Sequence, residues 1–175
     1  KNGFPLRMGM VDRNEDGQVD KEEWSKAKAA GDARRASYEK HGLLAIDIDS
    51  EGEPKAGQVR RLSDDGIPEV PSPLVHDEHV YFVKNGGILS CLSLKTGERV
   101  YRMRTRGRGT HYASPLIADG KLFTTAGAGQ ITVLTLRPDP EILAVNDMED
   151  GVYATPAIVD GTIYVRTHSA LFAFR

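Results

Sequence analysis

Ser72-Pro73-Leu74, Ser114-Pro115-Leu116 and Thr155-Pro156-Ala157 are three versions of one short phrase, and their prolines fall 42 and 41 residues apart. The residues after each phrase repeat as well. A turn comes first: His76-Asp77-Glu78, Ala118-Asp119-Gly120 and Val159-Asp160-Gly161. A strand with an aromatic residue comes next: Val80-Tyr81-Phe82, Leu122-Phe123 and Ile163-Tyr164-Val165. A third segment closes each copy: Leu89–Ser93, Ile131–Thr135 and Leu171–Arg175. Short β-rich runs bounded by Gly, Pro and Asp read as strands.

A period near 40 with about four short strands per unit is the pattern of a β-propeller blade. A β-sandwich with similar hairpins would have to align three separate features three times by accident. The fold expected is mainly β: a partial propeller of about three to four four-stranded blades, preceded by a helical module. The module spans 1–42 and the blades 43–175. Complete blades are expected at 69–106 and 110–148. Partial ones are expected at 43–65, which holds only outer strands, and at 151–175, which stops after its third strand.

Cys91-Leu-Ser93-Leu-Lys-Thr96-Gly97-Glu-Arg-Val-Tyr101 resembles the Ala-x-Asp-x-x-Thr-Gly-x-x-x-Trp docking motif of the pyrroloquinoline-quinone (PQQ) propeller repeat. Thr96 and Gly97 match outright, while Cys91, Ser93 and Tyr101 replace Ala, Asp and Trp. Ala45 and Asp47 match the start of an earlier copy, and the motif is lost around Arg137-Pro138-Asp139. The resemblance covers 43–175 and implies degenerate repeats of that family, in a version with an EF-hand inserted between blades. Propellers of the family have about eight blades, so the chain is expected to be the C-terminal portion of a larger ring. On this reading Arg175 is the natural end, with the strand missing from the last blade supplied from upstream. The rival expectation is that two copies complete a ring.

Ahead of the strands, Asp12-Arg-Asn14-Glu-Asp16-Gly17-Gln18-Val19-Asp20-Lys-Glu-Glu23 has the spacing of an EF-hand calcium loop. Ca²⁺ is a hard cation that takes about six to eight oxygens. Asp12, Asn14 and Asp16 offer side-chain oxygens, Gln18 its backbone carbonyl, and Asp20 a direct or water-mediated contact. Glu23 closes the sphere with both carboxylate oxygens. Gly17 stands where the chain must turn sharply. Residues 21–40 read as the exiting helix, with Trp24 just past the loop. On the other side Phe4, Met8 and Val11 have helical spacing, interrupted by Pro5 and Gly9. A single loop of this kind points to a structural calcium site of modest affinity, in keeping with a periplasmic or secreted location.

The chain has 175 residues, a net charge of −2 and one cysteine, Cys91. The length suffices for one full core. Interspersed charges give no basis for nucleic-acid binding, no apolar run is long enough to span a membrane, and one cysteine excludes an internal disulfide. His76-Asp77-Glu78-His79 carries metal-ligand residue types, but in a hairpin turn. Arg99, Arg102, Arg104, Arg106 and Arg108 alternate with apolar residues, as on a solvated strand edge.

The resemblance implies two functions of different classes. One is a PQQ-dependent dehydrogenase oxidising alcohols or sugars, with Ca²⁺ polarising the bound quinone and an acidic side chain as base. The other is a rigid, non-catalytic platform or scaffold for a protein partner or for the remaining blades, as in assembly scaffolds of the bacterial envelope. The loops expected near the propeller axis offer Glu69, His111, Tyr112 and Tyr153, and these single out no catalytic or quinone-binding residue. The sequence favours the platform, with Ca²⁺ as its cofactor.

Overall fold

The computed structural model describes residues 11–38, 42–47 and 57–175. The chain divides into two compact units, Lys1–His41 and Gly42–Arg175. In the first, residues 11–20 form a turn-rich loop that runs into α1 (Lys21–Tyr38). Asp20 and Glu23 start this helix as a reciprocal cap. Asp20 Oδ1 accepts the Glu23 amide at 2.7 Å, and Glu23 Oε2 accepts the Asp20 amide at 3.3 Å. The acidic Glu22 and Glu23 complement the positive end of the helix dipole. α1 is the one helix among the described residues. Phe4 and Met8, which suggested an entering helix, lie outside them, so a two-helix EF-hand module remains a reading of the sequence.

The second unit is a series of antiparallel meanders. A two-stranded sheet, β1 (Leu43–Ile46) and β2 (Val59–Ser63), comes first. Sheet A follows, with β3 (Leu74–His76), β4 (His79–Lys84), β5 (Ile88–Ser93) and β6 (Arg99–Arg104) in sequence order. Sheet B repeats that order with β7 (Leu116–Ala118), β8 (Lys121–Thr125), β9 (Gln130–Thr135) and β10 (Ile142–Asp147). Sheet C has β11 (Ala157–Val159), β12 (Thr162–Arg166) and β13 (Leu171–Phe174). Sequential up-and-down sheets of four short strands are propeller blades. The hairpin after the first strand of each blade reuses one device. Asp77, Asp119 and Asp160 all have φ close to +49°, a left-handed geometry that Asp tolerates better than most residues.

Each blade has a face toward the preceding sheet and a face toward the next, because side chains alternate along a strand. In sheet A, Val80, Phe82 and Leu92 face back and pack with Leu43 and Leu62 of the two-stranded sheet. Tyr81, Leu89 and Cys91 face forward and pack against Leu122 and Leu134 of sheet B. Ile131 of sheet B continues forward to Val165 of sheet C, with Phe123 and Ile163 beside them. Gly97 supports the first of these contacts. Its φ is +75°, and a Cβ there would stand 2.7 Å from the Leu62 carbonyl oxygen. Gly97 therefore lets the β5–β6 turn approach the backbone of the neighbouring sheet closely.

The outer strand β6 alternates as expected of a solvated edge. Tyr101 and Met103 pack inward, while Arg99 and Arg102 reach Asp65 Oδ2 at 3.3 and 2.7 Å. Loss of the docking motif around Arg137-Pro138-Asp139 does not remove the outer strand of sheet B. β10 still pairs with β9, through a register shift between Ile142 and Ala144.

Leu89 and Leu171 occupy the same position in their blades but are 0% and 68% exposed. Leu89→Ala is expected to cost about 2–5 kcal/mol and Leu171→Ala at most about 0.5 kcal/mol. Urea unfolding of the two variants checks this; equal losses would contradict the packing described.

Candidate functional site

The candidates between Asp12 and Glu23 lie on one loop of the first unit, held by bonds from its side chains to its own backbone. Asn14 Oδ1 accepts the Asp16 amide at 3.1 Å, and Asp16 Oδ1 accepts the Gln18 amide at 2.8 Å. Glu23 Oε1 reaches across the loop to the amides of Arg13 at 2.8 Å and Asn14 at 3.2 Å. Gly17 has φ +82° with open space around its missing Cβ, so conformation alone calls for glycine there.

Asp12 is the distinctive member. It is 8% exposed. Its Oδ2 accepts the Gly17 amide at 2.9 Å, while its Oδ1 is buried and has no partner among the described residues. Among the described residues, no three His, Cys, Asp or Glu side chains already converge as a metal cluster. The loop carboxylates are directed to backbone amides instead. A hard cation suits the donor set: an orphaned buried carboxylate oxygen at loop position 1, and carboxylates at positions 5, 9 and 12 of the same turn.

The candidates from the inner loops fall into two groups. Glu69 and His111 are joined through Asn85, whose side-chain amide donates to Glu69 Oε2 at 3.1 Å and whose carbonyl accepts the His111 backbone amide at 2.7 Å. Sequence reading passed over Asn85, which lies just past the end of β4 and carries no motif. The His111 ring is enclosed, at 1% exposure, against Gly87 and Gly107. Its Nδ1 lies 3.3 Å from the Gly109 carbonyl, and Nε2 is buried without a partner among the described residues. This imidazole is a packed element of the loop and is not presented to solvent.

Tyr112 and Tyr153 form the second group. Their rings are 5.7 Å apart and both are exposed. Val70, at the corresponding place in the preceding repeat, is exposed as well. On the same side of sheet C, Asp150 Oδ2 accepts the hydroxyl of Ser169 at 2.7 Å and its amide at 2.8 Å. Those bonds, the Ser169 hydroxyl first, hold the Asp150 carboxyl well below the usual carboxylate range.

Elsewhere the residue types that suggested chemistry have structural partners. His76 and His79 face one another across the β3–β4 hairpin, with His76 Nε2 3.4 Å from Asp77 Oδ2. Cys91 is buried and free; burial pushes its thiol up to about 11, which leaves little reactive thiolate near neutrality. Among the described residues no helix is long and apolar enough to cross a membrane.

No family model and no curated protein matches this chain. Solved structures do resemble it. The computationally designed Ika4 protein is 14% identical over 77% of this chain and 98% of its own, with a TM-score of 0.53. BamB from Moraxella catarrhalis is 23% identical over 58% of this chain, with a TM-score of 0.48. A europium-containing methanol dehydrogenase is 16% identical over 55% of this chain, with a TM-score of 0.45. The chain spans 32% of BamB and 20% of the dehydrogenase. The likeness is one of fold.

His111 also gives this region a pH dependence. Desolvation by burial lowers its pKa, against the smaller opposing effect of the Gly109 carbonyl. The unfolded chain then binds a proton at higher pH than the folded one, so stability is present above about 6.5 and falls as pH drops below it. The melting temperature is expected to fall between about pH 7 and pH 5, and less in His111→Gln; an identical slope in the variant would contradict the assignment.

Proposed function

We propose that this chain is a calcium-stabilised segment of a PQQ-like β-propeller that acts as a non-catalytic binding platform. The observation that carries the calcium assignment is Asp12, with one carboxylate oxygen tied to Gly17 and the other buried without a partner among the described residues. That is the division of labour a first loop ligand needs: one oxygen shapes the turn and the other faces the cation. Asp12, Asn14, Asp16, the Gln18 carbonyl, Asp20 and Glu23 would hold the ion. Glu23 would turn from the Arg13 and Asn14 amides toward it. Its role is structural, ordering the loop that leads into α1.

The close approach of Gly97 to Leu62 supports a PQQ-like repeat, since Gly97 is one of the two residues that match the docking motif outright. The Tyr112–Tyr153 pair and Val70 support the platform: they are exposed aromatic and apolar surface on successive repeats, of the kind a protein partner covers. A periplasmic or secreted location fits a lone loop of modest affinity, because extracellular modules bind Ca²⁺ at about 10⁻⁴–10⁻³ M.

Calcium bound only by the folded state stabilises it by about 2.7 kcal/mol at a hundredfold excess over Kd. Thermal unfolding with and without Ca²⁺ is therefore expected to show a clear upward shift for the parent chain. Asp12→Asn should reduce the shift and Glu23→Gln should remove most of it. A parent whose melting temperature ignores Ca²⁺ would overturn the calcium assignment.

A further inference from the structure

Successive sheets are tied at the start of each blade by a hydroxyl-to-amide ladder. The Ser72 amide donates to Ser114 Oγ at 2.9 Å, and the Ser114 amide donates to Thr155 Oγ1, also at 2.9 Å. Ser114 thus gives its N–H to the hydroxyl of its counterpart in the next blade and receives the Ser72 amide on its own hydroxyl, while Ser72 is seen only as a donor. Thr155 completes only half of this pattern. Its hydroxyl is used, and among the described residues its amide has no acceptor.

The side chains of sheet C are interrupted at the same boundary. Tyr164 pairs with Ala173, and Arg166 with Leu171, on the forward face. The matching residues of sheet A are buried, with Tyr81 at 5%, Leu89 at 0% and Cys91 at 1%; Ile131 and Val133 of sheet B are at 4% and 9%. Tyr164 and Leu171 are at 38% and 68%. One repeat position is therefore core in two blades and surface in the third. A cavity of about 350 Å³ also opens between sheets B and C beside Phe123, Met148, Ile163 and Phe174. Between sheets A and B the corresponding space takes Leu136 and Ile142, which follow β9 or lie on the outer strand β10. Among the described residues, sheet C has no such strand beyond β13.

We infer that the forward side of sheet C is a docking face for one more blade of this same repeat chemistry. The partner supplies an outer strand to β13, apolar residues where Leu122 and Leu134 meet sheet A, and a Ser or Thr before a proline to accept the Thr155 amide. The occupant is a blade from polypeptide outside residues 1–175. Continuity with the two inter-blade contacts already in the chain defines it. The interface is heterologous, since the face offered differs from the face received. The inference rests on the propeller reading and not on the calcium loop.

Two measurements test it, both with and without Ca²⁺. In the chain as it stands, amide hydrogen exchange should be slower at Ser72 and Ser114 than at Thr155, by about a hundredfold or more. In a chain extended after Arg175 by a second copy of residues 136–175, Thr155 should become as protected as Ser114. The melting temperature should rise by several degrees, at about 2–4 °C for each unit of added stability in a chain this size. Thr155→Val in the appended copy alone should abolish the new protection at Thr155 while keeping most of the thermal gain. Equal exchange at the three amides of the parent, or an unprotected Thr155 in the extended chain, overturns the proposal. So does a dimer of the parent that protects Thr155, because the occupant is then a second copy. Failure in both calcium conditions leaves the calcium assignment intact, as that is read from the calcium-dependent shift of the parent.

Discussion

Burial of both faces of each meander is the constraint on which the rest of the second unit depends. A twisted sheet of four short strands, apolar on its two sides, is stable only when it lies between neighbours. Sheet A meets this requirement fully, with Val80 and Phe82 behind it and Tyr81 and Leu89 ahead. Sheet B meets it too, while sheet C meets it on one side. Packing alone leaves neighbouring sheets free to slide, because apolar contact is not directional. The Ser72–Ser114–Thr155 ladder supplies the missing register, fixing each blade to the next by one hydrogen bond at the same position of the repeat.

The acidic loop from Asp12 to Glu23 obeys a different logic. It is short, polar and largely exposed beyond Asp12. Its order comes from side chains that accept backbone amides two to ten residues away, as Asp, Asn and capping Glu residues do in turns and at helix starts. Glu23 caps α1 and also bridges the beginning of the loop. The loop and the first turn of the helix are consequently linked through one carboxylate. Calcium binding would redirect Glu23 from the Arg13 and Asn14 amides toward the ion, within a loop that these side-chain bonds already hold in a turn.

Much of this was legible in the sequence, for identifiable reasons. The proline phrases, hairpin aspartates and aromatic strands recur because each blade solves the same local problem, so the sheets could be read from spacing. The outer strand β10 was harder to read, since it keeps its pairing without the Thr-Gly motif. Asn85 was missed because its role is to join segments 16 and 26 residues away, Glu69 and His111, and nothing local signals that. Ser72, Ser114 and Thr155 were visible as markers of alignment, but only the stacking of the sheets reveals them as bonded to one another. The Asp20–Glu23 cap was legible as an Asp-x-x-Glu pattern before an apolar Trp24, yet the calcium spacing claimed both residues first. His111 looked like a candidate for chemistry in sequence. Its enclosure by Gly87 and Gly107 belongs to tertiary packing.

A calcium-ordered binding platform and a quinone-dependent enzyme differ most sharply in what they take up. Calorimetric titration of the calcium-free chain with Ca²⁺, followed by PQQ in the presence of Ca²⁺, puts that difference to the test. A platform takes up one equivalent of Ca²⁺, dependent on Asp12 and Glu23, and gives no heat with the quinone. Stoichiometric quinone binding, or no calcium uptake at millimolar Ca²⁺, would contradict it.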